Sequence, residues 1–304
     1  LGSLIIYLII IIFAVIVVVN LSNRHTAKEN SQITSMARIK DELETNIAPG
    51  QFVFQANIEG IDELESKLHR SFTDTYISQI KQKYVDENSE NTERHFTWLF
   101  YELKRFYFMA AIFKEIPMYN LDIDDIWHKM IMYTRDYQSF CHDFIGDLIH
   151  HQPNAADDDG KDPDKRALFE FYYSVLFEVD EKTAFWHNPF YRYRLDDQVR
   201  RDFQREGIAF LLEKYFRETD DPLLYKVQTG LIEYIQSNDQ IFDEMDRNYT
   251  KKKNKKDVAA PADSSGAVIF AGGADNTHDS SDSSGGGDSS SSCGSSCGSG
   301  CGGN

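Results

Sequence analysis

The first feature of the chain is an unbroken apolar run, Leu4 to Val19, reading LIIYLIIIIFAVIVVV without a charged side chain. With Gly2, Ser3, Asn20 and Leu21 it makes a helix about 30 Å long, enough to cross a hydrocarbon core. Ile and Val favour strands in water, but in lipid only a helix pairs all of its own amides. A secretory signal fits less well, because no basic stretch precedes the run and VVVNLSN offers no small-x-small cleavage site. Residues 2–21 are therefore expected to form one transmembrane helix. Arg24, Lys28, Arg38 and Lys40 all follow it, which places the body on the cytoplasmic side.

The pattern then changes period. Residues 22–50 are polar, with a short amphipathic stretch around Ile33–Leu43, and Pro49-Gly50 closes this linker. From Ile58 to Tyr84 apolar residues recur at helical spacing: Ile61, Leu64, Leu68, Phe72, Tyr76 and Ile80. Phe96, Leu99, Phe100, Leu103, Phe106, Tyr107 and Ala110 cover so wide an arc that their helix is expected to be central and buried. Further helices are predicted over Ala167–Glu178, Asp196–Phe216 and Asp221–Phe242, the last opening with Asp221 as N-cap and Pro222 at the first helical position. Alternation of period two is sustained nowhere. The expected fold is all-α: a helical domain over 51–247 behind the membrane helix.

Residues 248–304 pass from KKKNKK into Gly, Ser, Asp and Cys, with too few apolar groups to offset the entropy of ordering, so this tail is expected to be disordered. Its Cys293, Cys297 and Cys301 are expected to be free thiols, and with Cys141 they form no disulfide framework.

Charge narrows the choice of partner. The formal net charge is -17; six of the 49 acidic residues follow residue 256, leaving 43 acids against 32 bases in the body. Such a body repels phosphate backbones, so nucleic acid is not the expected partner. Walker loops, dinucleotide glycine fingerprints, GxSxG elbows and HExxH are all missing from the sequence. The acidic loop Asp157–Asp162 lacks the closing Glu of a calcium loop and reads as solvated. Trp186–Arg194 interleaves bases with aromatics and reads as a turn packed under the next helix.

Residues 121–153 carry the densest chemistry and parse into two helices separated near Tyr133-Thr134. In the second, Tyr137, Phe140, Cys141, Phe144, Ile145, Leu148 and Ile149 form one apolar stripe with Cys141 at its centre. In the first, Asp124 and His128 stand four apart and share a flank, beside the inward-facing Trp127.

The pattern Asp124-x-x-Trp127-His128, Tyr137-x3-Cys141, Gly146 and His151-x-Pro153 resembles the glycine-rich domain-containing protein-like family, whose members often end in glycine-rich tails. Plant members have a second histidine where this chain has Met130. The resemblance implies no reaction; development, stress responses and, for some members, RNA binding are its associations.

Two functional readings follow. In the first, the anchored helical domain binds a protein partner without catalysis, no residue is catalytic, and no cofactor is needed. In the second, His128, Cys141 and His151, with Asp124 beside them, hold zinc or iron, since imidazole and thiolate suit these ions. On one continuous helix Cys141 and His151 would be about 15 Å apart, so that set requires a break at Gly146. A nucleophilic Cys141 is disfavoured, because an apolar stripe stabilises the thiol over the thiolate.

Overall fold

The computed structural model describes residues 48–87, 91–151, 162–187 and 190–257, with a few positions between 34 and 46. The apolar run 4–19, residues 157–161 of the acidic loop, Pro153 and the cysteine-bearing tail lie outside the described residues. Among the described residues, no helix is long and apolar enough to cross a membrane. The chain divides into units 1–260 and 261–304, and the described residues all lie in the first.

The described residues are all-α. Their helices are α1 (Ile61–Arg70), α2 (Asp74–Glu87), α3 (Glu93–Ile112), α4 (Leu121–Met132), α5 (Thr134–Ile145), α6 (Pro163–Leu176), α7 (Glu181–Trp186), α8 (Asp197–Arg205), α9 (Ile208–Tyr215), α10 (Pro222–Ser237) and α11 (Gln240–Asp257). Two isolated antiparallel bridges, Phe54 with Phe177 and Phe113 with Phe216, are the only sheet-like pairing among them.

Several predicted helices are divided. The 58–84 run breaks after Arg70, where the Ser71 amide turns back to Lys67 and Leu68 and the Thr73 hydroxyl accepts from Tyr76 N. The 196–216 run breaks at Glu206-Gly207, while Gly207 starts α9. The last helix continues through KKKNKK to Asp257, beyond the boundary expected at residue 247. Other signals hold: Asp221 caps α10 by accepting from Leu223 N at 2.8 Å, and Pro222 occupies its first turn.

Helix α3 is the axis of the core. It packs against α1, α2, α4 and α10, and Trp98, Leu99, Phe106, Tyr107, Phe108 and Ile112 along it are all buried. At its C-terminus Phe113 leaves helical geometry and bridges Phe216, with Lys114 N donating to Tyr215 O and Arg217 N to Ile112 O. Gln228 of α10 locks this joint by donating to both Ile112 O and Arg217 O. Gly230 lets α10 come close, since a Cβ there would meet Ile58 Cγ2 at 2.9 Å.

A helix buried on almost every side must take its charged residues inside. Glu102 and Arg105 are both buried, and the Arg105 guanidinium donates to Glu102 (3.3 Å) and to the hydroxyls of Tyr173 (2.6 Å) and Tyr101 (2.8 Å). Tyr173 in turn donates to Glu102, and His187 Nε2 lies 3.2 Å from the same carboxylate. Burial works to raise the Glu102 carboxyl, but Arg105 and His187 more than offset it and hold the group below its usual value. His187 is pushed down by burial, against the pull of Glu102.

Two outcomes follow from this cluster. Arg105→Met leaves a buried carboxylate unpaired and should cost about 3–5 kcal/mol in chemical denaturation. Because His187 is depressed in the folded protein, the unfolded chain binds the extra proton. Stability should therefore fall as pH drops below about 6.5, and a His187→Gln chain should show a flatter urea-midpoint profile across that range.

Candidate metal centre

Helix α4 is started by Asn120, whose side chain accepts from Ile123 N at 2.9 Å and donates to Trp186 O. Asp122 and Asp124 then fall in the first turn, where the helix dipole favours negative charge. One turn on, His128 stacks over Asp124: its Nδ1 donates to the Asp124 carbonyl at 2.9 Å and lies 3.5 Å from the Asp124 carboxylate.

The third member arrives from outside the helix. Helix α5 ends at Ile145 and Gly146 adopts φ 77°, the left-handed cap conformation. The chain therefore turns away, and the apolar stripe read through Leu148 and Ile149 is not one continuous helix. Beyond the turn His151 comes back to α4, placing Nε2 2.7 Å from Asp124 Oδ1 and its ring 4.5 Å from that of His128. One potential ligand atom from each of Asp124, His128 and His151 lies within 4.8 Å of the others.

Exposure is graded across the three. The side chains of Asp124 and His151 are 13% and 9% exposed, that of His128 53%. The cluster thus has a buried floor and an open side. A tetrahedral zinc site holds its ligand atoms about 2.0–2.1 Å from the ion.

Cys141 is not part of this cluster. It is fully buried, and burial, foremost, pushes its thiol up. The set His128, Cys141, His151 is therefore corrected: the residue that joins the two histidines is Asp124, because the turn at Gly146 carries His151 to α4 and leaves Cys141 in the core. A nucleophilic role for Cys141 meets the same obstacle, a protonated thiol out of reach of solvent.

Trp127 and Tyr137 support the three. The Trp127 ring meets His151 edge-on at 4.5 Å and packs on Phe106 and Tyr107, while its Nε1 donates to Tyr137 Oη at 3.0 Å. Tyr137 donates to Ile149 O at 2.5 Å. Arg217, which sequence reasoning missed, donates to Asp147 at 2.7 Å and to Leu148 O at 3.4 Å. Nothing local marks Arg217, whose place depends on the Phe113–Phe216 bridge. Glu102 and Arg105 did carry a signal: an acid and a base three apart within a helix apolar on all sides.

Over residues 65–178 the chain matches the family model described as UCP032817-like. That family is uncharacterised, and the match replaces the resemblance to the glycine-rich domain-containing protein-like family, which is not upheld. The matched stretch runs from α1 past the end of α6 and includes Asp124, His128 and His151. No curated protein and no solved structure matches the chain.

Gly146 is the hinge of this geometry. A Cβ there would meet nothing within 4 Å, so the penalty of Gly146→Ala is conformational alone. The substitution should cost about 1–2 kcal/mol in thermal or chemical unfolding.

Proposed function

We propose that the helical domain binds a divalent transition metal through Asp124, His128 and His151, with zinc or iron(II) the best chemical match. The supporting observation is the convergence of two imidazoles and a carboxylate, one potential ligand atom from each within 4.8 Å of the other two. Two histidines and one carboxylate form a three-ligand set that leaves positions for water or an exogenous ligand. The half-exposed His128 gives that open position a route to solvent. Asp124 and His128 are preorganised by one helical turn, and His151 closes the set.

At 2.7 Å the His151–Asp124 contact is a hydrogen bond, and a metal would take the place of its proton. Binding therefore releases protons, and affinity falls as the solution is made more acidic. The full chain, equilibrated with zinc and freed of excess, should retain one metal per chain by elemental analysis. Asp124→Ala and His151→Ala should each weaken binding by more than about a hundredfold, beyond the loss typical of removing an outer partner. Wild-type protein that holds no stoichiometric metal, or variants that hold as much as wild type, would sink this reading.

A second reading, a protein partner met without catalysis, is favoured by the outer face of α4. Leu121 and Met132 are 75% and 64% exposed and share that face with Asp125 and His128. If this face is an interface, the double variant Leu121→Ser, Met132→Ser should lose a co-purifying protein that wild type retains. Equal recovery from both would refute it.

A further inference from the structure

Two of the three ligands stand on one helix, one turn apart, and need nothing else to hold them. The third, His151, stands on a non-helical segment, so the preorganisation of the centre depends on what fixes residues 147–151. That segment is gripped at Ile149. Its carbonyl accepts the Tyr137 hydroxyl, and its side chain is buried. Tyr137 is aimed in turn by Trp127, whose indole N–H it accepts and whose ring lies against His151. On the outer side Arg217 holds Asp147 and Leu148 O.

We propose that Tyr137 is the positioning residue of the metal centre: its hydrogen bond to Ile149 O sets where His151 stands, so that metal affinity and the docking of residues 147–151 are one coupled equilibrium. This rests on the reading of Asp124, His128 and His151 as ligands. Tyr137 touches neither the ion nor the ligand atoms. It acts through one backbone carbonyl two residues before the ligand.

The physical argument is linkage. A segment that must be ordered before it can ligate lowers the apparent affinity by the fraction of time it is docked. A metal that binds only the docked form stabilises that form in return. The Tyr137 hydroxyl is suited to this role because burial, foremost, pushes its ionisation far up, so it stays a donor throughout the pH range in which the imidazoles can ligate. Arg217, in the connection between α9 and α10, lies outside the stretch that matches the family model, so the C-terminal part of the chain also contributes to the docking of His151.

The test uses the full chain and cobalt(II) as the probe, with zinc in competition. In Tyr137→Phe, cobalt affinity should fall about 10–100-fold, the usual consequence of losing an outer partner. Stoichiometry and the visible cobalt spectrum should be unchanged, because all three ligands remain. Amide exchange over 147–151 should quicken, and the metal-induced rise in Tm at a fixed cobalt concentration should shrink. A merely structural tyrosine would lower Tm equally with and without metal and leave cobalt affinity where it was; that result overturns the proposal. If wild-type protein binds no cobalt or zinc, the ligand assignment itself fails, and the two failures are told apart because the second is visible before any variant is made. Should Tyr137→Phe fail to fold, Arg217→Gln removes the outer hold on Asp147 and Leu148 O and is expected to weaken cobalt binding with stoichiometry intact; unchanged affinity there overturns the proposal equally.

Discussion

The buried charge pair on α3 is the constraint around which the fold is organised. A helix enclosed by α1, α2, α4 and α10 cannot present Glu102 or Arg105 to water. A buried charge is tolerated only when paired and hydrogen-bonded, so partners must come from elsewhere in the chain. Tyr173 on α6 and His187 after α7 supply them. These distant segments are thereby registered against the central helix by polar contacts that permit one geometry, where an apolar core alone tolerates several. Close by, Arg166 and Glu170 of α6 repeat the arrangement, with Arg166 donating to His187 O and Glu170 accepting from Tyr191 N.

Placing α3 also places the candidate centre. Phe106 and Tyr107 form the wall against which Trp127 packs, and Trp127 fixes the roll of α4 and hence the side on which Asp124 and His128 emerge. Where α3 ends, the bridge from Phe113 to Phe216 brings Arg217 beside the segment carrying His151. One helix thus positions the two ligands of α4 through its middle and supports the third through its C-terminal joint. The hydrogen bonds that connect them run through Tyr137, whose hydroxyl faces Trp127 and Ile149 together.

Local chemistry made much of this legible from the residues alone. The helical spacing, the burial of the Phe96–Ala110 helix, the separation of α4 from α5 at Tyr133, and the Asp221-Pro222 start all follow from periodicity and capping, which act over a few residues. The i, i+4 pairing of Asp124 with His128 is legible for the same reason. The breaks at Ser71–Thr73 and at Gly207 were not, because apolar spacing continues across them and the turns are settled by what the flanking helices pack against.

Sequence by itself determined the all-α class of the domain, the central helix, and Asp124, His128 and His151 as residues of interest. Only the tertiary structure decided which residue completes the cluster. A sulfur in an apolar stripe and a carboxylate one turn before a histidine are both plausible companions on paper. The left-handed turn at Gly146 sends His151 to Asp124 and leaves Cys141 in the core, because a chain that leaves its helix is directed by long-range contacts, here Tyr137 with Ile149 and Arg217 with Asp147, that no local pattern encodes.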